Sequence, residues 1–219
     1  MKSFLDKRIH LVFWALFVIC YIASWYGLLF LLAIFYSLSF YYFRQKQLDY
    51  GLESNGDNRV IVSPVSGKLI SVSPCRLEED STQEVNCLII RVAHWNDFGI
   101  FSPINAEIKD LSKKLGLAQF RYRKIDSQDY SATRLVLEDK QNIKIVLEFI
   151  QCTLGLLPQL KVLAGDRAKL RANLGHFPFG GTVKVYVPKG VGVIAQAGEE
   201  LVSGETILGE LEQLEDNNE

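Results

Sequence analysis

Residues 11–43 carry no charged side chain, and this run constrains the fold of the 219-residue chain more than any other feature. An uncharged apolar stretch of this length is typical of a membrane-embedded segment. One straight helix through it would be about 50 Å long, whereas the hydrocarbon core of a bilayer is about 30 Å thick. Gly27, near the middle, therefore predicts a break. We expect residues 1–43 to form a helical hairpin that is either transmembrane or re-entrant.

Basic residues flank the uncharged run on both sides. Lys7 and Arg8 precede it, and Arg44 and Lys46 follow it. Basic residues favour the cytoplasmic side of a membrane, so both ends of the hairpin are predicted there. The far end of the run is rich in large aromatic residues and is unlike a signal-peptide cleavage site, so we expect the run to be retained. The predicted localisation is the membrane, with the following domain on the cytoplasmic side.

The rest of the chain predicts a mainly β domain. Residues 44–58 are polar with scattered glycines, which is typical of a linker. Short apolar runs then recur between turn residues in residues 59–212, as in the alternating stretch at residues 183–187, and long amphipathic helical periodicity is absent. These features favour a small β-sandwich or barrel-sandwich domain. Residues 213–219 form an acidic tail.

A weak internal repeat lies in the second half of this domain. Gly165-Asp166 leads to Leu174-Gly175, and Gly198-Glu199 leads to Leu208-Gly209. Such turns join strands in small domains of the lipoyl and biotinyl carrier type. A carrier needs a lysine at its hairpin tip, and residues 197–211 contain none. The repeat therefore predicts a likeness of fold without the carrier function.

The charge balance and the cysteines exclude several function classes. Lys and Arg total 24 against 25 for Asp and Glu, so no basic field attracts nucleic acid, and we expect no nucleic-acid partner. The cysteines form no C-x-x-C pair, although a disulfide between Cys75 and Cys87 stays open. No histidine or cysteine spacing predicts a metal site.

Three segments carry a family resemblance, in the family's order and over nearly the whole chain. Residues 62–68 resemble a motif written S-P-A-D-G-K, and residues 94–108 resemble S-P-F-D-V-H-V-N-R-S-P-x-x-G-x-V. Residues 165–188 are similar to G-D-x-V-x-x-G-x-x-x-G-x-I-x-F-G-S-R-V-D-L-Y-L-P. Together these segments resemble the shorter, membrane-anchored type of phosphatidylserine decarboxylase.

The resemblance implies a self-processing enzyme that makes phosphatidylethanolamine. In this family a serine hydroxyl attacks the preceding glycine carbonyl, and elimination and hydrolysis then leave a pyruvoyl group that serves as electron sink. The family serine falls on Gly181, its aspartate on Ser66 and its histidine on Phe98. Glycine has neither Oγ nor Cβ, so no pyruvoyl cofactor is expected. Neither Ser66 nor Phe98 exchanges protons near neutral pH.

Four nearby residues are candidate substitutes for the missing groups. Attack by the Thr182 hydroxyl on the Gly181 carbonyl would leave a 2-oxobutanoyl cap, but alternation along a strand is expected to point Thr182 away from the family site. His94, Asp97 and His176 are the nearest candidate acids and bases.

Three hypotheses for the function follow. The favoured one is a non-catalytic, membrane-anchored relative of the decarboxylases that binds membrane phospholipid or pairs with an active family member. The family also implies a homo-oligomer. The second hypothesis is an active decarboxylase that uses Thr182. The third is a β-sandwich adaptor of a membrane complex.

Overall fold

A computed structural model describes residues 7–42, 60–76, 84–93, 96–117, 130–152 and 156–211. The chain forms two compact units, Met1–Gln47 and Leu48–Glu219, which are described separately. The predicted linker at 44–58 and the predicted acidic tail lie outside the described residues, so both stay predictions.

The first unit contains the predicted helical hairpin. Helix α1 spans Lys7–Ile22 and helix α2 spans Tyr26–Tyr42. The two helices pack through aromatic side chains. His10 Nδ1 and the Tyr36 hydroxyl share a hydrogen bond of 2.9 Å, and the Phe13 and Tyr36 ring centroids lie 5.1 Å apart.

The break between the helices lies at Ser24, so the predicted break at Gly27 is wrong. Ser24 has a φ of 56°, the left-handed conformation that often ends a helix. The Trp25 N–H donates to the Cys20 carbonyl at 2.9 Å, and the Ser24 N–H donates to the Tyr21 carbonyl at 3.1 Å. These two bonds satisfy the last carbonyls of α1 locally. Gly27 lies in the first turn of α2, where nothing requires a break.

The outer surface of the hairpin is apolar. Leu11, Trp14 and Phe30 each expose about two thirds of their area. In the described part of the chain, no helix combines the length and the apolar character needed to cross a membrane. With 16 and 17 residues, α1 and α2 extend about 24 and 26 Å. The transmembrane form of the prediction is therefore not confirmed.

The second unit is built from strands, and the mainly β class is confirmed. In chain order the strands are β1 Val60–Val62, β2 Gly67–Arg76, β3 Glu84–Val92, β4 Gly99–Phe101, β5 Ala106–Lys114, β6 Ala132–Glu138, β7 Lys144–Gln151, β8 Gln159–Leu160, β9 Arg167–Ala168, β10 Asn173–His176, β11 Gly181–Pro188, β12 Val191–Val193, β13 Glu200–Leu201 and β14 Ile207–Leu211. The longer apolar runs match strands. The strands of two to four residues that lie between residues 159 and 176 and at 200–201 carry too little pattern to be predicted.

The strands form one large sheet and two small ones. The large sheet has eight strands in the order β13-β2-β3-β11-β7-β6-β5-β9 and is curled into a half-barrel. The three-stranded sheets have the orders β1-β14-β12 and β4-β10-β8. Side chains alternate along β11, so that Val183, Val185 and Val187 are buried in the core. Lys184 and Tyr186 lie on the opposite face.

The large sheet consists of two equivalent halves that meet at the central β11–β7 pair. Read outward from this pair, the strand order is the same on both sides. The strands β13, β2, β3 and β11 correspond in turn to β9, β5, β6 and β7, and the small sheets correspond to each other. We call β4–β10 the inserted half, because it is continuous in the chain. We call β1–β3 with β11–β14 the split half, because the inserted half interrupts it.

Reciprocal hydrogen bonds confirm this pseudo-two-fold relation. The Val62 N–H donates to the Pro103 carbonyl at 3.1 Å, and the Phe101 N–H donates to the Pro64 carbonyl at 2.9 Å. These bonds join the corresponding Ser-Pro turns of the two halves.

The sequence repeat belongs to the same relation. In the split half, the Leu69 carbonyl accepts a hydrogen bond of 2.7 Å from the Gly198 N–H, and the Leu69 N–H donates to the Glu199 carbonyl at 2.9 Å. The inserted half has the same pair of bonds. The Ile108 carbonyl accepts from the Gly165 N–H at 2.7 Å, and the Ile108 N–H donates to the Asp166 carbonyl at 2.9 Å. The internal repeat predicted from sequence is therefore a repeat of structure.

Candidate functional site

The candidate site lies where the split half is interrupted, at the end of β3 and the start of β11. Gly181 is paired with Val92 across these two strands. Gly180 has a φ of 70°, and a Cβ built on it would lie 2.3 Å from the Val92 carbonyl oxygen. Only glycine satisfies both the backbone conformation and this close approach.

The space beside Gly181 is filled. A Cβ on Gly181 would lie 2.6 Å from Phe177 Cζ and 2.6 Å from the Ile150 carbonyl oxygen. The Phe177 ring is fully buried and packs edge-to-face on Phe149, with the ring centroids 5.7 Å apart. A side chain at position 181 therefore requires the Phe177 ring to move out of a packed core.

Two more phenylalanines close the same region. Phe98 is buried, and its carbonyl accepts a hydrogen bond of 2.7 Å from the Phe177 N–H. The Phe98 ring centroid lies 6.2 Å from that of Phe179. Phe179 has a φ of 60°, which is strained for a bulky residue, and it is 36% exposed. In the loop leading into β11, Phe179 is therefore the phenylalanine that stays partly exposed, whereas Phe177 is buried.

Ser66 is held by hydrogen bonds to the chain around it. Its hydroxyl donates to the Ser203 hydroxyl and accepts from the Ser203 N–H, both at 3.0 Å. Its carbonyl accepts from the Asn96 amide at 3.3 Å. Asn96 lies in the loop that also carries Phe98. The structure thus brings Ser66, Phe98 and Gly181 to one end of β2, β3 and β11.

Thr182 lies on the face of β11 opposite to Gly181. It is half-buried, and its backbone is paired with Arg91 on one side and Ile150 on the other. The buried residues of β11 are those at the alternate positions, beginning with Gly181. The Thr182 hydroxyl therefore does not point into the region that Phe177 and Phe98 enclose.

Two of the candidate acids and bases, His176 and Asp97, lie next to Gly99. His176 is buried on β10 opposite Gly99. Burial lowers the pKa of His176 to about 4, and the positive charge of Lys161 adds to this shift. The imidazole is therefore neutral near pH 7 and is a weak base there. Asp97 Oδ1 accepts a hydrogen bond of 3.1 Å from the Gly99 N–H, and His94 lies outside the described residues.

Thiol and metal chemistry have little support among the described residues. All four cysteines are free, including Cys75 and Cys87, whose pairing the sequence left open. Burial raises the pKa of the Cys87 thiol to about 12, so it is no nucleophile near neutral pH. Within the described ranges, no group of three or more His, Cys, Asp or Glu side chains could hold a metal ion.

Sequence reasoning missed Phe177, Asn96 and Ser203. Phe177 precedes a proline in a stretch typical of a turn, which gives no signal that its ring is core. Asn96 and Ser203 act through contacts distant in sequence. The pseudo-two-fold relation is the signal that could have found Ser203, because its loop corresponds to the loop after Asp166.

Comparisons with known proteins address the family directly. No protein-family model matches the chain. It is 29% identical over 161 residues to the phosphatidylserine decarboxylase proenzyme of Anaplasma phagocytophilum (strain HZ), covering 71% of this chain and 69% of the relative. It is 28% identical over 163 residues to that of Geotalea uraniireducens (strain Rf4), covering 70% and 72%. These matches support membership of the chain in the phosphatidylserine decarboxylase family. The predicted family resemblance is confirmed.

A further relative extends the similarity along more of the chain. The phosphatidylserine decarboxylase proenzyme of Geobacter sulfurreducens is 24% identical over 194 residues, covering 84% of this chain and 82% of the relative.

The residues at the junction do not fit a pyruvoyl group. The motif resemblance aligns Gly181 with the family serine, and glycine lacks both the Oγ that would attack and the Cβ that would become the methyl carbon of the group. The Phe177 ring and the Ile150 carbonyl occupy the adjacent space.

Proposed function

We propose that this family member is non-catalytic and binds phospholipid or an active family member at a membrane. The observation that carries this proposal is the filled space at Gly181, where Phe177 Cζ and the Ile150 carbonyl oxygen lie 2.6 Å from a built Cβ. A lost hydroxyl alone could be restored by one substitution. A lost hydroxyl together with a packed aromatic ring is a site rebuilt as core.

The neighbouring residues support the same proposal. Phe98 stands where the family has a histidine and is buried against Phe179. Ser66 stands where the family has an aspartate, and its hydroxyl is engaged by Ser203. Each replacement forms contacts suited to a structural role, and none supplies a proton near neutral pH.

We propose that the helical hairpin attaches the protein to the membrane as a re-entrant anchor. Leu11, Trp14 and Phe30 expose apolar surface that lipid would cover. The basic residues that flank the hairpin support a cytoplasmic location for the β domain.

Intact mass of the purified full-length chain tests the absence of self-processing. We expect one full-length species and no decarboxylation of phosphatidylserine. A fragment that begins at residue 182 with a 2-oxobutanoyl cap would overturn the proposal and establish Thr182 as the processing residue.

A restoration series tests whether Phe177 blocks the site. We expect the triple variant Gly181→Ser, Phe98→His, Ser66→Asp to stay uncleaved, because the new Cβ meets the Phe177 ring. Adding Phe177→Ile, the residue of the family motif, removes the Cζ atom and should permit self-cleavage. Cleavage of the triple variant to the same extent would show that Phe177 does not block the site.

Binding is tested by native mass spectrometry of the full-length chain released from detergent. We expect it to retain phosphatidylserine or phosphatidylethanolamine in preference to phosphatidylcholine. Co-purification with a membrane complex in place of lipid would favour the adaptor hypothesis.

A further inference from the structure

A cavity opens at the opposite end of the large sheet from Gly181. Its volume is about 750 Å³, and it lies between the β6–β7 turn, the start of β3 and the end of β11. Apolar atoms of Val85, Ile143 and Pro188 contribute to its lining. A volume of this order lies within the range of small-molecule sites.

The pseudo-two-fold relation pairs this end of the sheet with the family site. Asn142 has a φ of 60° and donates its N–H to the Asp139 carbonyl at 3.0 Å. Gly180 has a φ of 70° and donates to the Phe177 carbonyl at 3.2 Å. The two turns therefore correspond, yet space remains beside the one at Asn142, whereas Phe177 fills the space beside the other.

Charges of both signs surround the cavity. Lys189 and Glu84 form an ion pair at its rim, and each side chain is about half exposed. The Glu138 side chain is only 17% exposed, and its carboxylate lies 3.7 Å from Lys109 Nζ. Lys144 also lines the cavity and is exposed. Two ammonium groups and two carboxylates thus lie among the lining residues of the cavity.

This arrangement selects the charge of a ligand. A simple anion would meet the carboxylates of Glu84 and Glu138, and a simple cation would meet the two lysines. A molecule that carries a primary ammonium and an anionic phosphate can face each group with its opposite charge. A quaternary ammonium lacks the N–H donors that a carboxylate would accept.

We propose that this cavity binds the head group of an amine-bearing phosphodiester, with Lys144 facing the phosphate and Glu138 facing the ammonium beside the Lys189–Glu84 ion pair. The inference rests on the proposed lipid-binding function and assigns it to the end of the sheet that stays open. The same chemistry occurs in a membrane lipid and in a free glycerophosphodiester.

The first experiment measures binding of soluble probes to the full-length chain in detergent micelles by calorimetry. Glycerophosphoethanolamine should bind more tightly than glycerol phosphate or ethanolamine, each of which carries one of the two charges. Lys144→Gln and Glu138→Gln should each weaken binding about tenfold. Lys140→Gln is the matched control, since Lys140 is exposed on the same turn outside the cavity lining, and it should change nothing.

The second experiment distinguishes the source of the head group. The full-length chain is released from micelles that contain phosphatidylethanolamine and phosphatidylcholine in equal amounts, and the retained lipid is counted by native mass spectrometry. Preferential retention of phosphatidylethanolamine that is lost in the Lys144→Gln, Glu138→Gln double variant identifies a lipid. Binding of the soluble diester without lipid retention identifies a free diester, and the lipid-binding part of the proposed function then fails.

Two results would overturn the cavity assignment. If wild type and double variant retain phosphatidylethanolamine equally, the head group binds elsewhere and the proposed function stands. If wild type binds neither the diester nor either aminophospholipid, the assignment and the lipid-binding function both fail. Unchanged thermal unfolding of the double variant would show that lost binding reflects lost contacts.

Discussion

The inserted and split halves of the β domain share their strand pairing and differ at one connection. In the inserted half, β6 continues directly into β7 through the turn at residues 139–143. In the split half, the corresponding strands β3 and β11 are joined only through the whole inserted half. The end of the sheet at Gly181 is therefore assembled from segments distant in sequence.

This difference explains why the two ends can serve different purposes. A tight turn fixes its own backbone, so few residues there can change without altering the strand register. The interrupted end is bordered by loops that reach it from Ser66, Phe98 and Phe177. Under the proposed function, the reactive serine, histidine and aspartate of the family are replaced here by Gly181, Phe98 and Ser66 while the paired strands stay in place.

Phe177→Ala should give the largest effect. The ring is fully buried beside Gly181, and its removal should cost about 3–5 kcal/mol of unfolding free energy. The corresponding change in the inserted half, Asp139→Ala, removes a carboxylate that accepts the Lys140 N–H at 2.7 Å and should cost about 1 kcal/mol. Urea unfolding of the full-length chain, followed by circular dichroism, measures both.

Equal losses from these two variants would contradict the comparison, because they would mean that Phe177 is no more important to its end of the sheet than Asp139 is to the other. Phe177→Leu is a useful intermediate, since it keeps most of the buried area and should lose less than Phe177→Ala.

Gly180→Ala should have the next largest effect. The new Cβ would have to avoid the Val92 carbonyl at 2.3 Å in a left-handed backbone, so we expect a loss of about 3 kcal/mol. The counterpart, Asn142→Ala, only places alanine in a left-handed backbone conformation that alanine disfavours. It should lose about 1 kcal/mol of unfolding free energy. The same urea unfolding compares them, and similar values would show that the interrupted end is no more tightly packed than the turn.

His176 should make stability depend on pH. Its pKa is lowered to about 4 in the folded protein from 6.5, so the unfolded chain binds more protons between these values. The contribution of His176 to the free energy of unfolding is constant above pH 6.5. As the pH falls toward 4, up to about 3 kcal/mol of this free energy is lost. Unfolding measured across this range should show a weaker pH dependence in His176→Gln.

Glu210 provides the control for this prediction, because it occupies the corresponding position on β14 and is exposed. Glu210→Gln is introduced into both wild type and His176→Gln. It should leave the difference in the pH dependence of unfolding between these two backgrounds unaltered. If wild type and His176→Gln lose stability in parallel below pH 6.5, burial of His176 is not the cause of the pH dependence.

The smallest expected effects lie in two corresponding turns. Arg171 has a φ of 65° and Gly204 has a φ of 70°. Gly204→Ala should cost about 1 kcal/mol, whereas Arg171→Gly should be neutral or stabilise by less than about 1 kcal/mol, since it relieves the left-handed strain. Thermal unfolding of the two variants shifts in opposite directions if the turns share one backbone conformation.

Much of this fold could be predicted from local pattern. The apolar alternation of β11 indicates a half-buried strand, and the repeat at Gly165 and Gly198 indicates the structural repeat. The helical hairpin was predicted from the uncharged run, but its turn lies at Ser24, because the terminal hydrogen bonds of α1 close there without a glycine.

The contents of the site were predictable only in part. The absence of a reactive side chain at Gly181 is visible in the sequence. The packing of the Phe177 ring against that position depends on the backbone path from β10 to β11, which local periodicity does not encode. The cavity at Lys144 likewise depends on bringing β3, β6, β7 and β11 together.

The nesting of one half within the other has a consequence for the order of folding during synthesis. All strands of the inserted half have left the ribosome once His176 has emerged, and they can pair among themselves. The first strands of the split half, synthesised earlier, lack β11 and β14 until the last part of the domain emerges. The half that begins first should thus finish last, and β3 waits with one edge unpaired beside a neighbour that is already folded.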